Sequence, residues 1–433
     1  MARIFVDFCK LENIDNDITS INGVIYKEKE NTSDAICKLD WEVCCQPIIS
    51  RSSKEIIKKL DRIVNSLRLC NDYIMYSYTA YDKLDNYEEF LELKNKEAEK
   101  HKKQKEEEER RKQEKQKFID EFEKKNPDIK KQFDKFLNSG GEYNNLTDDE
   151  KREIKYRAYT ADEPARTIFL RNLEKLNIRT TDTNTDKRAN DKEKGTAFYK
   201  PAAFRHDISF IRTNNDNDSF GGNSNDKYDY ATVYHESGHC IDDLADLNGW
   251  NYGFDTSNYK AKVKICGQEK EISVYDAIIY DVYYNEENPY SLINFYNNYN
   301  KNKETSFEDF KNSLMKGDSS WKEIYGETYR NYIYGDNIDK SGKNGSLNGV
   351  SDIYGGATQN IGEGNTGHTN DYWNTLEKQK VNLPAEAWAE YFEGSFIQDK
   401  TYLENMKKYL PTTCTILDSY ADDLSNKSKK INI

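Results

Sequence analysis

The sequence predicts an α+β protein in three parts. These are an N-terminal α-helical hairpin over residues 1–93, a charged helical spacer over 94–150, and a C-terminal domain over 151–425. The last part is expected to combine a small mixed sheet with a helix that carries a His-Glu-x-x-His motif. Three observations lead to this reading. Apolar residues recur at steps of three and four near the N-terminus, the period of an amphipathic helix. Residues 94–117 then hold a single hydrophobic side chain, Ala98. Further on, β-prone segments flank a helical stretch that sets two histidines four positions apart, on one helix face.

A chain of 433 residues has the length for two or three domains. Only 36% of it is hydrophobic while 33% is charged, so the core is confined to part of the chain. A net charge of −13 argues against a nucleic-acid partner, because phosphate binding needs a basic face. The N-terminal residues show no positive segment followed by an apolar run, so no ordinary secretory signal is visible. No 18-residue apolar stretch is present either, which argues against a membrane span. The eight cysteines, Cys9, Cys37, Cys44, Cys45, Cys70, Cys240, Cys266 and Cys414, are dispersed and read as reduced thiols.

In chain order, Phe8, Leu11, Ile14, Ile18, Ile21 and Ile25 mark a first amphipathic helix. Pro47 sits in a break, after which Ile56, Leu60, Ile63, Leu67, Cys70, Ile74 and Tyr78 mark a second helix. Two such helices make an antiparallel hairpin. The opening Met-Ala-Arg-Ile-Phe-Val-Asp, with Leu11-Glu12 and Trp41 in the connection, resembles the WxG/LXG-type hairpins that mark type VII secretion substrates. Where that family has Trp-x-Gly, this chain has Trp41-Glu42-Val43. The resemblance implies an export module, and a plain helical oligomerisation module is the alternative.

Residues 94–117 read as a solvated charged helix or spacer, since no apolar face exists to bury. Residues 118–178 return to helical periodicity with breaks at Pro127, Gly140-Gly141 and Pro164, and residues 180–194 read as a polar loop. Phe198, Tyr199 and Phe204, then Ile208, Phe210 and Ile211, with Pro201 between, predict two short strands or a bent edge strand. Asp216 and Asp218 lie in an Asn/Asp/Gly-rich stretch, where Phe220 falls on the third oxygen position of a calcium loop, so a loop is expected. Residues 262–273 alternate about Gly267 and predict a hairpin. Residues 275–334 are helical, with tyrosines that serve packing.

The motif is His235-Glu236-Ser237-Gly238-His239. Both imidazoles can reach one ion, while Glu236, about 100° round the helix, points toward a water at an open coordination position. With 5 His and 77 acidic residues in the chain, about one chain in a hundred of this composition would carry the spacing by accident. Two surface histidines on an ordinary helix are the bland alternative.

A catalytic zinc site needs a third protein ligand. His101 lies in the charged spacer, which leaves His206, His368 or an acid. The best acidic candidate is the segment Leu383-Pro384-Ala385-Glu386-Ala387-Trp388-Ala389-Glu390-Tyr391-Phe392-Glu393. Pro384 suits the first turn of a helix. Glu386, Glu390 and Glu393 fall on one stripe of an otherwise apolar helix, and buried carboxylates call for a compensating charge. A stripe that simply faces water is the alternative.

HESGHCIDDL paired with EAWAEYFE resembles the catalytic domain of the anthrax lethal factor family and the zincin-like peptidase domains of phage head proteins and bacterial toxins. The resemblance implies Zn²⁺ held by His235, His239 and Glu386, with Glu236 as general base. It makes Glu390 an outer carboxylate that holds a ligand imidazole in its tautomer, and gives Asp243 related work or a capping role. Gly367-His368-Thr369-Asn370-Asp371-Tyr372-Trp373 is similar to a segment of the phage-type members, which makes His368 or Tyr372 a donor to the oxyanion; aromatics that merely pack a loop are the alternative. An edge strand beside the motif helix would pair with substrate backbone.

The expected activity is that of a zinc endopeptidase, with a non-catalytic docking domain as the alternative. The expected partners are a protein or peptide substrate and, if the chain is an exported toxin, secretion machinery or an immunity protein. The expected location is outside the cell without a classical signal peptide, with the cytoplasm as the alternative.

Overall fold

The computed structural model describes residues 17–31 in part, 47–82, 87–141, 146–182, 197–200, 207–212, 230–246, 254–299, 305–315, 319–342 and 345–430. It divides into two compact units, Met1–Arg111 and Lys112–Ile433. The described parts are mainly helical, with two small sheets, an α+β composition.

In the first unit, α1 spans Pro47–Asp82 and α2 begins at Tyr87, running to Lys125. Pro47 does not interrupt the chain here; it opens α1, where its missing N–H has no intrahelical acceptor to serve. Leu60, Val64, Leu67 and Ile74 lie half-buried along one face of α1, while Ile56 and Ile63 are exposed. Phe8, Leu11, Ile14, Trp41 and the Cys44-Cys45 pair lie outside the described residues. Residues 94–111 of α2 are exposed throughout, as their composition requires.

The second unit begins at Lys112, inside the stretch assigned by composition to the spacer. Lys112 pairs with Asp149 at 3.4 Å and Lys115 with Glu153 at 2.6 Å. Ile119, Phe133, Phe136 and Leu137 are buried in its core. Helix α3 (Pro127–Leu137) starts on proline, and α4 (Asp148–Thr160) starts on a capping box. In that box the Thr147 hydroxyl accepts from the Glu150 amide while the Glu150 carboxylate accepts from the Thr147 amide. Helix α5 (Ala165–Asn172) follows.

Strand β1 (Asn177–Asp182) lies parallel to β3 (Asp207–Arg212), and β2 (Ala197–Lys200) pairs antiparallel with the other side of β3. Thr180, Thr181 and Asp182, expected in a loop, are therefore strand residues, paired with Phe210, Ile211 and Arg212. The β-branched threonines suit a strand once a partner supplies the ladder. Pro201 and Phe204 lie outside the described residues, which give two strands on either side of them, and among the described residues β2 is an edge that packs against the motif helix.

Helix α6 (Ala231–Asp246) carries the motif. The expected hairpin follows as β4 (Lys260–Ile265) and β5 (Gln268–Ser273), turning through Cys266 and Gly267 at φ 49° and 77°. Helices α7 (Val274–Ile279), α8 (Leu292–Tyr299), α9 (Phe307–Met315) and α10 (Ser319–Tyr334) build the tyrosine-rich wall. Its phenols pack and then reach backbone carbonyls: Tyr283 donates to Ala357, Tyr296 to Thr305 and Tyr334 to Gly362. Next come α11 (Asn348–Ala357), α12 (Asn370–Trp373), α13 (Leu376–Gly394), α14 (Thr401–Tyr409) and α15 (Pro411–Lys430).

Pro384 does not open its helix. Helix α13 starts at Leu376 under a Thr375 cap that accepts from the Lys378 amide, and Pro384 is interior. The exposed leading turns, with Leu376 and Val381 facing solvent, hide this start from a reading based on apolar surface.

Among the described residues Cys70, Cys240, Cys266 and Cys414 are free thiols, while Cys9 and Cys37 lie outside them. No described helix is long and apolar enough to cross a membrane.

Candidate metal centre

Helix α6 is set in place by the residue before the motif. Tyr234 is fully buried, stacks on Phe396 with centroids 4.1 Å apart, meets Phe169 edge-on, and donates its hydroxyl to the Ile154 carbonyl at 2.6 Å. Its other face lies on α13. A Cβ on Gly238 would stand 3.1 Å from the Ala389 Cα, so glycine is what lets the two backbones approach so closely.

That approach brings together three donor atoms. His235 Nε2 and His239 Nε2 are 3.2 Å apart, and Glu386 Oε2 is 3.3 Å from each. Tetrahedral zinc with nitrogen and oxygen ligands at about 2.0–2.1 Å separates neighbouring ligand atoms by about 3.3–3.4 Å. Glu386 is 2% exposed, and among the described residues only the two imidazole nitrogens face its Oε2. A buried carboxylate oxygen whose described neighbours are two imidazole nitrogens is the chemistry of a cation ligand. The residues fit zinc.

The other oxygen, Glu386 Oε1, accepts from the Tyr372 hydroxyl at 2.7 Å and lies 3.6 Å from His368 Nε2. Tyr372 stacks on the His368 ring at 4.2 Å, and Asn382 donates to the Tyr372 carbonyl at 2.9 Å. His368 is itself held by Asp352, buried on α11: Oδ1 accepts from the His368 backbone amide at 2.8 Å and faces Nδ1 at 2.9 Å. Glu236 is 8% exposed on α6.

Charge balance follows from these contacts. Burial pushes the Glu386 carboxyl up, but His239 and His368 outweigh it and hold the group well below the usual carboxylate range. Burial pushes His235 down, yet Glu386 and Glu393 raise it well above its ordinary value. His368 is likewise raised, to about 9, with Asp352 overcoming burial. The Tyr372 phenol is pushed far up by burial and Glu386, so it stays a donor. The acids around His235 favour positive charge at that corner of the triangle, from a proton or from a divalent cation.

The structure thus gathers His235, His239, Glu386, His368 and Tyr372 around Glu236-bearing α6. It assigns two other residues differently. Glu390 Oε1 is 3.9 Å from His235 Nδ1, beyond hydrogen-bond reach, and its Oε2 accepts from Tyr402. Burial and the nearby Glu393 push the Glu390 carboxyl up to about 8. The acid within reach of His235 Nδ1 is Glu393, at 3.1 Å. Asp243 is half-buried and belongs to none of the acid–histidine clusters among the described residues; its neighbour Asp242 is the buried one, accepting from the Thr256 amide and hydroxyl and from Tyr420. His101 is exposed on α2, and His206 lies outside the described residues.

Sequence reasoning missed Asp352 and Tyr402. The glycines around Asp352 were the available signal: Gly349 and Gly356 have no room for a Cβ, which marks α11 as a helix buried against neighbours. Comparison of the chain with protein-family profiles, with curated proteins and with solved structures found no match.

Proposed function

We propose that the chain is a zinc-dependent endopeptidase whose second unit is a zincin-like catalytic domain, with His235, His239 and Glu386 as the metal ligands. The observation that carries this reading is the triangle of His235 Nε2, His239 Nε2 and Glu386 Oε2, with sides of 3.2–3.3 Å and a buried oxygen that only the two imidazoles face among the described residues. Zinc bound there supplies Lewis acidity and a water of lowered pKa.

The chain's own residues do the rest. Glu236 takes the proton of the attacking water and returns it to the leaving amine. His368, fixed at Nδ1 by Asp352, offers Nε2–H to the oxygen that becomes negative as the carbonyl is attacked. Tyr372, engaged with Glu386 Oε1, keeps that carboxylate turned so that Oε2 faces the imidazoles. Strand β2 lies beside α6 and has no partner strand on its outer side among the described residues, a place where an extended peptide could pair, which favours a peptide substrate.

The test is Glu236→Gln. Zinc content is expected to stay near one per chain while peptide hydrolysis falls about 10²–10⁴-fold. Undiminished turnover would sink the mechanism, and wild-type protein that takes up no zinc would favour a docking domain instead.

A further inference from the structure

We infer that Glu393, two turns beyond Glu386 on α13, is the residue that positions His235 for metal binding, and that Glu390, one turn on, serves the packing of α14 instead. The inference rests on the metal-binding reading above and deepens it.

The His235 ring uses one nitrogen for each of two carboxylates. Its Nε2 faces Glu386 at 3.3 Å and its Nδ1 faces Glu393 Oε2 at 3.1 Å. An imidazole that donates Nδ1–H to a carboxylate is locked in the tautomer whose Nε2 carries a free lone pair, and it is made more basic toward a cation. It is also held against rotation about its χ2 axis, which keeps Nε2 at the triangle's corner. Glu393 is only 7% exposed, so its negative charge acts on the ring with little screening by water.

Glu390 is occupied elsewhere. Its Oε2 accepts from the hydroxyl of Tyr402, a fully buried residue of α14, and its Oε1 lies 3.9 Å from the ring. Gly349 on α11 opens the space for this pair: a Cβ there would stand 2.8 Å from the Tyr402 hydroxyl and 2.9 Å from Glu390 Oε2. Three helices thus converge on Glu390 through packing and one hydrogen bond. Glu393 instead sets its Oε2 3.1 Å from His235 Nδ1 on the metal-binding helix.

The two acids are therefore separable by what their loss changes. The 433-residue chain and four variants are compared by zinc affinity in competition with a chromogenic chelator, by the visible spectrum of the cobalt-loaded form, and by thermal unfolding of the metal-free form. Glu393→Ala is expected to bind zinc about 10–100-fold more weakly and to shift the cobalt spectrum. Glu393→Gln, which still accepts from Nδ1–H without the charge, is expected to fall between it and wild type. Glu390→Gln and Tyr402→Phe are expected to keep zinc affinity within about threefold, while lowering the unfolding temperature.

Should Glu393→Ala fail to fold, Glu393→Gln against Glu390→Gln carries the same ranking. Wild-type affinity in both Glu393 variants overturns the inference. So does a loss in Glu390→Gln that matches or exceeds theirs. In both cases the wild type still binds one zinc, so the metal reading stands; a wild type that binds none removes both.

Discussion

Trp388 Nε1 donates to the Gly238 carbonyl over 3.0 Å, tying the motif helix to the helix of its third candidate ligand at the glycine where a Cβ would stand 3.1 Å from the Ala389 Cα. The indole is fully buried, and so is the hydrogen bond. Distances within the donor triangle therefore depend on a contact that no ligand makes.

Gly238→Ala tests that dependence. Alanine gains about 1 kcal/mol of helix propensity, but its Cβ meets the Ala389 backbone at 3.1 Å and the Phe392 side chain at 3.4 Å. Backbone cannot swing aside as a side chain does, so overpacking costs about 1–3 kcal/mol. The expected outcome in denaturant unfolding is a net loss of up to about 2 kcal/mol, accompanied by weaker zinc binding as α6 and α13 are pushed apart. A variant more stable than wild type with unchanged zinc affinity would show that the helices have slack.

Asp352 accepts from both the backbone and the ring of His368, and α11 places it without reference to the motif helix. Asp352→Asn keeps the shape but removes the charge that holds the imidazole protonated. We expect kcat to fall about 10–100-fold with zinc content unchanged. His368→Gln should give a loss of similar size, and the double variant little more, because the two residues act as a unit. Steady-state kinetics of the three variants decide it, and additive losses would count against a shared role.

Asp242 gives a stability that depends on pH. Burial pushes its carboxyl up from 3.8 to about 6, against hydrogen bonds from Thr256 and Tyr420 that favour the charged form. A raised carboxyl binds its proton more tightly in the folded chain than in the unfolded one. Its contribution is therefore most favourable below about pH 4 and is lost as pH rises toward 6, by about 3 kcal/mol in all. Asp242→Asn retains the acceptor for the Thr256 amide and offers an N–H to the Thr256 hydroxyl. Unfolding free energies measured from pH 4 to 7 should show the slope in wild type and a flatter curve in the variant. Parallel curves would refute the assignment.

The motif residues were legible because helical spacing alone sets His235, Glu236 and His239 in relation to one another. Glu386 could be singled out because acids in an apolar helix need a reason. The choice between Glu390 and Glu393 could not be read, since it turns on Tyr402, which comes from the next helix and takes one of the two acids. Asp352 left no periodic trace: its partner lies on a loop 16 positions away. Strand β1 was missed for a similar reason. Its polar residues become a strand only through the parallel ladder with β3, a partner supplied by tertiary structure. Pro384 misled because a proline can sit inside a helix whose first turns lie on the surface.

The donor triangle draws two corners from α6 and the third from α13, roughly 150 residues later in the chain. During synthesis the two histidines leave the ribosome long before the acid that completes them. Until α13 has emerged and docked, the growing chain holds a pair of imidazoles and no more. The three donors therefore meet only after α13 has been made, so a hydrolytic activity of the kind proposed for this centre is withheld from the earlier nascent chain by the order in which its parts are made.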